Sequence, residues 1–163
     1  MFNKAKFLTA GSAVLAAALV STSANAATAN ADARATILEQ ITVTKTSDLD
    51  FGTVVVGATG GNVALSSADG SVSCDAALVC SGTTTAAAFD VTGTAGETVD
   101  ITVDPSVNLV SGGNSMTASL SGSDASLVLA GGDSFTVGGT LAVAANQAAG
   151  DYVGNFDVTV EYQ

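Results

Sequence analysis

The C-terminal stretch has the most regular pattern in the chain and reads Gly150-Asp151-Tyr152-Val153-Gly154-Asn155-Phe156-Asp157-Val158-Thr159-Val160-Glu161-Tyr162-Gln163. Its largest apolar side chains fall on even positions, namely Tyr152, Phe156, Val158, Val160 and Tyr162. From Asn155 onward the odd positions are polar. Because successive side chains of a strand point to opposite faces, this alternation predicts one strand with an apolar face and a polar face. Such a face needs a packed sheet behind it, and we expect this strand to be the last of the fold.

This stretch resembles the C-terminal strand of chaperone–usher pilus subunits. Those subunits end in an alternating apolar strand with a penultimate aromatic residue and a glycine fourteen positions from the end. Tyr162 and Gly150 hold those positions here. The resemblance implies a strand that a periplasmic chaperone or another subunit pairs alongside, with Gly150, Tyr152, Phe156, Val158, Val160 and Tyr162 as its contact residues. The alternative interpretation is an ordinary last strand of a β-sandwich.

Residues 1–26 have the features of a targeting segment. A basic start precedes an alanine-rich apolar run at residues 8–20, and Ala24-Asn25-Ala26 matches an A-x-A cleavage site. The apolar run is too short to span a bilayer. We therefore expect export to the periplasm, the cell surface or the medium. The alternatives are cleavage at a second site, residues 27–29, or an uncleaved anchor. No later apolar run is long enough for a transmembrane helix.

The net charge is strongly negative. The full chain of 163 residues carries −11, and removal of residues 1–26 with Lys4 and Lys6 leaves −13 on 137 residues. Only Arg34 and Lys45 then remain basic. Nucleic acids and anionic membranes attract clustered Lys and Arg, so the charge argues against both as partners. The remaining length corresponds to one domain.

The rest of the chain predicts an all-β sandwich. Short apolar segments are separated by glycine pairs and polar turns, and no long amphipathic helix follows residue 27. The predicted strands are 36–45, 48–56, 62–67, 71–77, 87–92, 98–104, 116–120, 126–129, 134–143 and the final stretch. Gly138-Gly139 interrupts the ninth of these and predicts a bulge or a bend. This even spacing is typical of a β-sandwich, and we place the domain at residues 37–163.

The start of the exported chain alternates as well. Odd positions of residues 27–36 are alanine, even positions are polar, and the odd parity continues through Ile37, Ile41 and Val43. Residues 27–45 are therefore one long strand, two short strands joined near Thr36, or a strand at 36–45 after a disordered tail, since alanine is a poor strand former.

Cys74 and Cys80 are the only cysteines. An even number of cysteines in an oxidising compartment predicts one disulfide. The bridge closes a short loop, which corresponds to roughly 2–3 kcal/mol of stability by chain entropy. The pair is not a CxxC motif, so redox catalysis is not expected. Its position also differs from the pilin pattern, in which the bridge usually ties the first strand to the next.

A wider resemblance spans most of the exported chain. It is carried by Asp48-Leu49-Asp50-Phe51-Gly52, by Phe135-Thr136-Val137-Gly138-Gly139-Thr140-Leu141, and by Ala149-Gly150-Asp151-Tyr152-Val153-Gly154 with Val158-Thr159-Val160-Glu161-Tyr162. Together these blocks resemble a bacterial secreted family catalogued as a domain of unknown function, similar in layout to pilins and to spore coat protein U-like domains. The resemblance implies an immunoglobulin-like sandwich, an extracellular structural role and no cofactor.

No enzyme class is supported by the residues present. The chain has no histidine, which excludes a Ser-His-Asp triad, a Cys-His pair and a His-based zinc site. The glycine-rich stretch at residues 57–61 lacks the Lys-Ser/Thr that completes a P-loop. The six aromatic residues after residue 26 fall mostly on inward parities rather than on a sugar-binding platform.

Two hypotheses of different class follow. In the first, the protein is a subunit of a surface fibre or coat that joins copies of itself or related subunits by strand exchange, with a periplasmic chaperone and an outer-membrane usher as further partners. The donor strand then carries Ala29, Ala31, Ala33, Ala35 and Ile37. Alternatively, the exchanged strand runs over residues 35–43 and supplies Ile41 and Val43 as well as Ile37. The domain then lacks its own first strand. In the second hypothesis, the protein is a self-contained secreted binding or adhesion module whose acidic loops, Ser123-Asp124 and Gly132-Asp133, hold calcium.

Overall fold

Twelve β-strands and no helix make up residues 26–163, the part of the chain that the computed structural model describes. The predicted all-β class is confirmed, whereas the predicted targeting segment lies outside the described residues except for Ala26. Within residues 26–163 no helix is long and apolar enough to cross a membrane. The strands are β1 (Thr42–Ser47), β2 (Thr53–Val56), β3 (Gly61–Leu65), β4 (Val72–Cys74), β5 (Leu78–Ser81), β6 (Ala87–Thr92), β7 (Thr98–Val103), β8 (Ser106–Ser111), β9 (Asn114–Gly122), β10 (Ser126–Val128), β11 (Asp133–Val143) and β12 (Val158–Tyr162).

The strands form two layers that resemble a sandwich. One layer is a seven-stranded antiparallel sheet in the order β1-β6-β11-β3-β4, with β9 pairing β11 and β8 pairing β9. The opposite layer is in two parts, a three-stranded sheet β10-β7-β12 and a two-stranded ribbon β2-β5. One buried cluster, with Phe135 and Val99, joins β6 and β11 to the three-stranded sheet. A second, with Val63 and Leu141, joins β3 and β11 to the ribbon. Each part of the second layer therefore has its own core against the shared sheet.

Strand β11 is the centre of the large sheet. Phe135, Val137, Leu141 and Val143 share one parity and are all buried, as their spacing predicts. The bulge predicted as one alternative at Gly138-Gly139 does not occur toward β9, because β11 pairs with β9 without a shift of register from Val137 to Ala142. The two glycines are needed because neighbouring backbones approach β11 closely at these positions. Strands β6 and β3 lie along successive halves of β11, and a Cβ on Gly138 would stand 2.3 Å from the carbonyl oxygen of Leu65.

The C-terminal strand is shorter than its alternation predicts. Only residues 158–162 form β12, which pairs antiparallel with β7. The residues before it cross between the layers, since Val153 forms an isolated bridge with Val110 of β8. Gly154 permits this crossing because a Cβ there would come 2.6 Å from the carbonyl oxygen of Asn108. The even-numbered side chains point inward as predicted, but they are half-buried rather than buried.

Two strands are absent from the sequence-based prediction. Strand β5 begins within the loop between Cys74 and Cys80. Strand β8 lies between Asp104-Pro105 and Gly112-Gly113, two dipeptides that are typical of turns. Strand β8 is only six residues long, and its core-facing residues Val107 and Leu109 are separated by a single polar position. Short strands of this kind carry little periodic signal.

The N-terminal segment has no strand. Residues 26–35 have no regular structure and every residue is exposed, and the compact unit begins at Thr36. The prediction of a strand over 36–45 is corrected to β1 at Thr42–Ser47. Residues 42–47 pair with β6 of the same chain, so an exchanged strand at 35–43 would have to break this pairing.

The turn between β3 and β4 is ordered by the carboxylate of Asp69. Ser71 donates to it through its backbone N–H at 3.1 Å and its hydroxyl at 2.8 Å. Hydrogen bonds from the Ser66 and Ser71 side chains, and then from the Ser71 backbone, lower the pKa of Asp69 from 3.8 to about 2. The charged form is therefore the one that the turn binds.

A pH titration of the Asp69 carboxyl group should show the effect of these hydrogen bonds on its pKa. Because the pKa of Asp69 is lower in the folded state, its contribution to stability is complete above about pH 3.8 and is lost as the pH falls through about 2. We expect the carboxyl signal of Asp69 to titrate near pH 2 in an NMR series, and to move toward 3.8 in the double variant S66A/S71A. Ser73→Ala, on the neighbouring strand, should leave it unchanged. A midpoint near 3.8 in the intact protein would contradict the hydrogen bonding described here.

Candidate functional site

A groove interrupts the second layer of the sandwich. It runs between residues 48–56, which end in β2, and residues 147–156, which lead into β12. We call it the edge groove, because β2 and β12 are the end strands of the two parts of that layer. Its floor is the core-facing side of the large sheet. The groove therefore opens between β2 and the segment that leads into β12.

The edge groove has two adjoining lobes, with volumes of about 600 Å³ and about 470 Å³. The larger lies beside β2, and the smaller lies beside Lys45 and Asp48. Leu49, Phe51 and Tyr152 line both lobes, so the two form one continuous depression.

Apolar side chains form the floor. Leu109, Met116, Leu141 and Val143 underlie the larger lobe, and Ala87, Phe89, Val107 and Leu109 underlie the smaller one. Phe89 stacks on buried Phe135 with ring centroids 5.2 Å apart and meets Phe156 edge-on at 6.4 Å. Phe89 and Phe156 are only half-buried, since one side of each faces the groove. This floor therefore presents apolar and aromatic surface to side chains that enter the groove.

Unpaired strand edges lie at one wall of the groove, on β2, and directly beyond the other wall, on β12. Asp104 donates to the carbonyl of Asp157, and Gln163 donates to that of Thr98, so odd-numbered residues of the last strand face β7. Alternation then turns the N–H and C=O groups of Val158, Val160 and Tyr162 to the opposite edge. Among residues 26–163 no strand pairs with that edge, and β2 pairs only with β5. These edges can accept a further strand.

Tyr162 ties the end of β12 to the residues that precede β1. Its hydroxyl accepts a hydrogen bond from the Thr94 N–H at 2.7 Å and donates to the Glu39 carbonyl at 2.8 Å. The Glu39 N–H in turn donates to Thr94 Oγ1 at 2.7 Å. Gly93 makes room for the ring, because a Cβ there would lie 2.5 Å from the hydroxyl oxygen. The Tyr162 hydroxyl therefore connects the end of β12 to the loop after β6 and to the segment before β1.

The rim of the groove is mainly acidic. Asp48, Asp50 and Asp151 line it, and Lys45 is its one basic residue. The Lys45 ammonium is paired with the Asp48 carboxylate. The Asp50 carboxylate accepts a hydrogen bond from the Gly52 N–H at 2.8 Å, and Gly52 has the positive φ of 72° that this turn requires. The rim is therefore suited to neutral or basic groups.

The predicted pairing residues of the C-terminal stretch fall in one region. Gly150 and Tyr152 line the larger lobe, and Phe156 lines the smaller one. Val158 and Val160 pack against the core beneath the three-stranded sheet. The predicted donor residues are not brought to this site. Ala29, Ala31, Ala33 and Ala35 are exposed and lie outside the compact unit, and Ile37 is 92% exposed.

The groove floor was missed by sequence analysis. Leu49 and Phe51 share a face, and Asp48 and Asp50 lie on the other. Nothing in the local pattern shows that this face borders an open groove rather than a closed core. Phe89 and Leu109 carry an ordinary strand alternation, and only the absence of a strand above them exposes them.

The cysteines form the predicted disulfide, with an S–S distance of 2.01 Å. It links β4, at the edge of the large sheet, to β5 of the ribbon. The carboxylates of the two acidic loops accept hydrogen bonds within their own turns. Ser123 Oγ donates to Asp124 at 2.7 Å, and the Ala130 N–H donates to Asp133 at 2.6 Å. Over the described residues no three His, Cys, Asp or Glu side chains gather as a metal site.

Comparison with known proteins adds a family assignment. Residues 41–162 match the model of a domain of unknown function, DUF4402. The match begins directly before β1 and ends at Tyr162, so it includes both walls and the floor of the edge groove. No curated protein matches the chain. Since the match covers most of its length, the chain belongs to the DUF4402 family.

Proposed function

We propose that the protein is an exported structural subunit of a bacterial surface fibre or coat, and that an extended strand from a neighbouring subunit fills its edge groove. The observation that carries the proposal is the groove between β2 and residues 147–156, which has an apolar floor, the unpaired edge of β2 at one side and the unpaired edge of β12 directly beyond the other. In this proposal the domain is an incomplete immunoglobulin-like sandwich, as the resemblance to pilus subunits implies.

Strand addition fits the chemistry of the groove. Main-chain hydrogen bonds to the free edge of β2, and to that of β12 where the occupant runs past residue 156, supply affinity, and alternate side chains enter the apolar lobes. The wall from Asp48 to Val56 has nine residues, so a strand of about the same length, roughly 30 Å, spans the groove. An occupant of this kind also removes an open sheet edge, which is otherwise prone to uncontrolled pairing.

The N-terminal segment is the donor that a second copy of this chain could supply. Residues 27–35 are as long as the groove wall, and they make no strand in their own chain. Such a segment is free to pair with a neighbour. Export through a targeting segment, and a chaperone and an usher that handle the open groove before assembly, complete the proposal.

Substitution of adjacent residues on β8 tests the proposal. Leu109 faces the groove and Val110 is 53% exposed on the other side of the strand. Leu109→Asp places an unpaired charge on the floor, and we expect it to prevent assembly, because burying that charge is costly. Val110→Asp is the matched control and should assemble normally. The measurement is the apparent mass of the protein in unheated envelope extracts by gel electrophoresis.

The expected pattern is high-mass, heat-dissociable species for the intact chain and for Val110→Asp, and monomer for Leu109→Asp. Thermal unfolding of each purified monomer establishes that the Leu109→Asp domain is folded. If the intact chain is monomeric in the envelope, or if Leu109→Asp assembles like the intact chain, strand exchange is wrong. A self-contained binding module is then the better description.

A further inference from the structure

We infer that the natural occupant of the edge groove is a strand from a different protein, with bulky apolar side chains at alternate positions, rather than residues 27–35 of another copy. The inference rests on the proposed function, since it names the partner of the same groove. The contact at the edge groove then joins two different proteins.

The size of the groove is the first argument. Its lobes measure about 600 Å³ and about 470 Å³. The inward positions of residues 27–35 are all alanine, so each contributes one methyl group. The backbone of the strand would occupy part of the groove, but methyl groups would reach little of the apolar floor, and the half-buried rings of Phe89 and Phe156 would gain little cover. Unfilled volume next to apolar side chains weakens packing in proportion to its size. Leu, Ile or Phe at the same positions would fill the lobes.

The anchoring of Glu39 is the second argument. Ile37 and Leu38 are the only bulky side chains near the N-terminal segment. Glu39 is held to its own domain on both sides, through its N–H to Thr94 and through its carbonyl to Tyr162. Ile37 is two residues away, a reach of about 7 Å at most. It therefore stays within about 7 Å of this anchor, whereas the alanine run can extend further from the domain.

The rim defines the outward face of the occupant. Asp48, Asp50 and Asp151 outnumber Lys45, which is already paired with Asp48. A strand with neutral or basic outward side chains meets this rim without repulsion. The occupant is thus an extended segment with alternating bulky apolar and neutral or basic residues.

Peptide binding to the exported chain, residues 27–163, separates the two occupants. One labelled peptide carries residues 27–37 with a lysine added at each end. A second carries the substitutions A29L, A31L, A33L and A35L in the same frame. A third adds Asp32→Pro to the leucine peptide and tests pairing along the backbone, because proline removes an N–H from the strand. Fluorescence anisotropy gives each dissociation constant, with Leu109→Asp and Val110→Asp as the groove variant and its control.

We expect the leucine peptide to bind at least tenfold more tightly than the native peptide, and to lose this affinity with Leu109→Asp or with the proline, but not with Val110→Asp. If the native peptide binds within tenfold of the leucine peptide, and both respond to Leu109→Asp, the inference is overturned while the proposed function stands, with the groove taking another copy. If no peptide binds, the groove is not a strand acceptor and the proposed function is overturned with the inference.

Discussion

Replacing Gly138 with alanine should lower the free energy of unfolding by about 3 kcal/mol, although the change adds one methyl group. The added Cβ would stand 2.3 Å from the carbonyl oxygen of Leu65 and 2.5 Å from the backbone nitrogen of Ser67. Both are backbone atoms at the end of β3, so no side chain can rotate away. Strand β3 would have to separate locally from β11, which is the centre of the large sheet. Urea denaturation monitored by circular dichroism measures the loss.

The matched control for this substitution is Gly57→Ala. A Cβ on Gly57 meets no atom within 4 Å, and Gly57 is not among the glycines with positive φ. Alanine there should leave stability unchanged or raise it by about 0.4–1 kcal/mol, because it reduces the freedom of the unfolded chain. Equal effects of the two substitutions would show that β3 and β11 are not in the close contact described here.

Removing the disulfide with the double variant C74A/C80A should cost roughly 2–3 kcal/mol of stability through the unfolded chain alone. A further, local effect is expected on the edge groove. Strand β5 pairs with β2, which is a wall of the groove, and the bridge connects β5 to the large sheet through β4. Among the described residues the ribbon pairs with no other strand. Its attachment therefore depends on this bridge and on the packing of side chains such as Val54 and Leu78.

Hydrogen exchange separates the two effects of the disulfide. We expect amides of β2 and β5 to exchange faster in C74A/C80A by a larger factor than those of β6 and β11, because the ribbon loses its covalent tether. Val79→Ala lies in the same loop and is the control, since Val79 is 64% exposed and should change stability by less than about 0.5 kcal/mol. Uniform acceleration across all strands would mean that the bridge acts only through global stability. An unchanged unfolding midpoint would contradict a structural role for the bridge.

Sequence pattern and structure agree most closely on strands that pack one face against the core. Strand β6 lies at the predicted residues 87–92, and β11 keeps the predicted parity from Phe135 to Val143. In these strands the core covers every second side chain, so local alternation contains the information needed to place them. Cys74 and Cys80 are likewise paired as their number and spacing predict.

The pattern fails where a segment passes from one layer to the other. Residues 150–157 continue the alternation of β12, yet they bridge to β8 instead of pairing with β7. Leu49 and Phe51 show the same limit near the start of the domain, where the chain leaves the large sheet after β1 and joins the ribbon at β2. Alternation reports which side chains face inward, and it does not report which strand lies beside the backbone.

The amino-acid sequence by itself determined the all-β class, the parity of the inward side chains and the cysteine pair, because these depend on spacing along the chain. Tertiary structure alone decided the edge groove. Phe89, Leu109 and Phe156 have ordinary strand neighbours in sequence, and they line a groove only because β12 and β2 end their sheets without meeting. The reason is physical. A missing strand is a relation between two distant edges, and the free backbone groups that border it arise from long-range pairing, which no local pattern encodes.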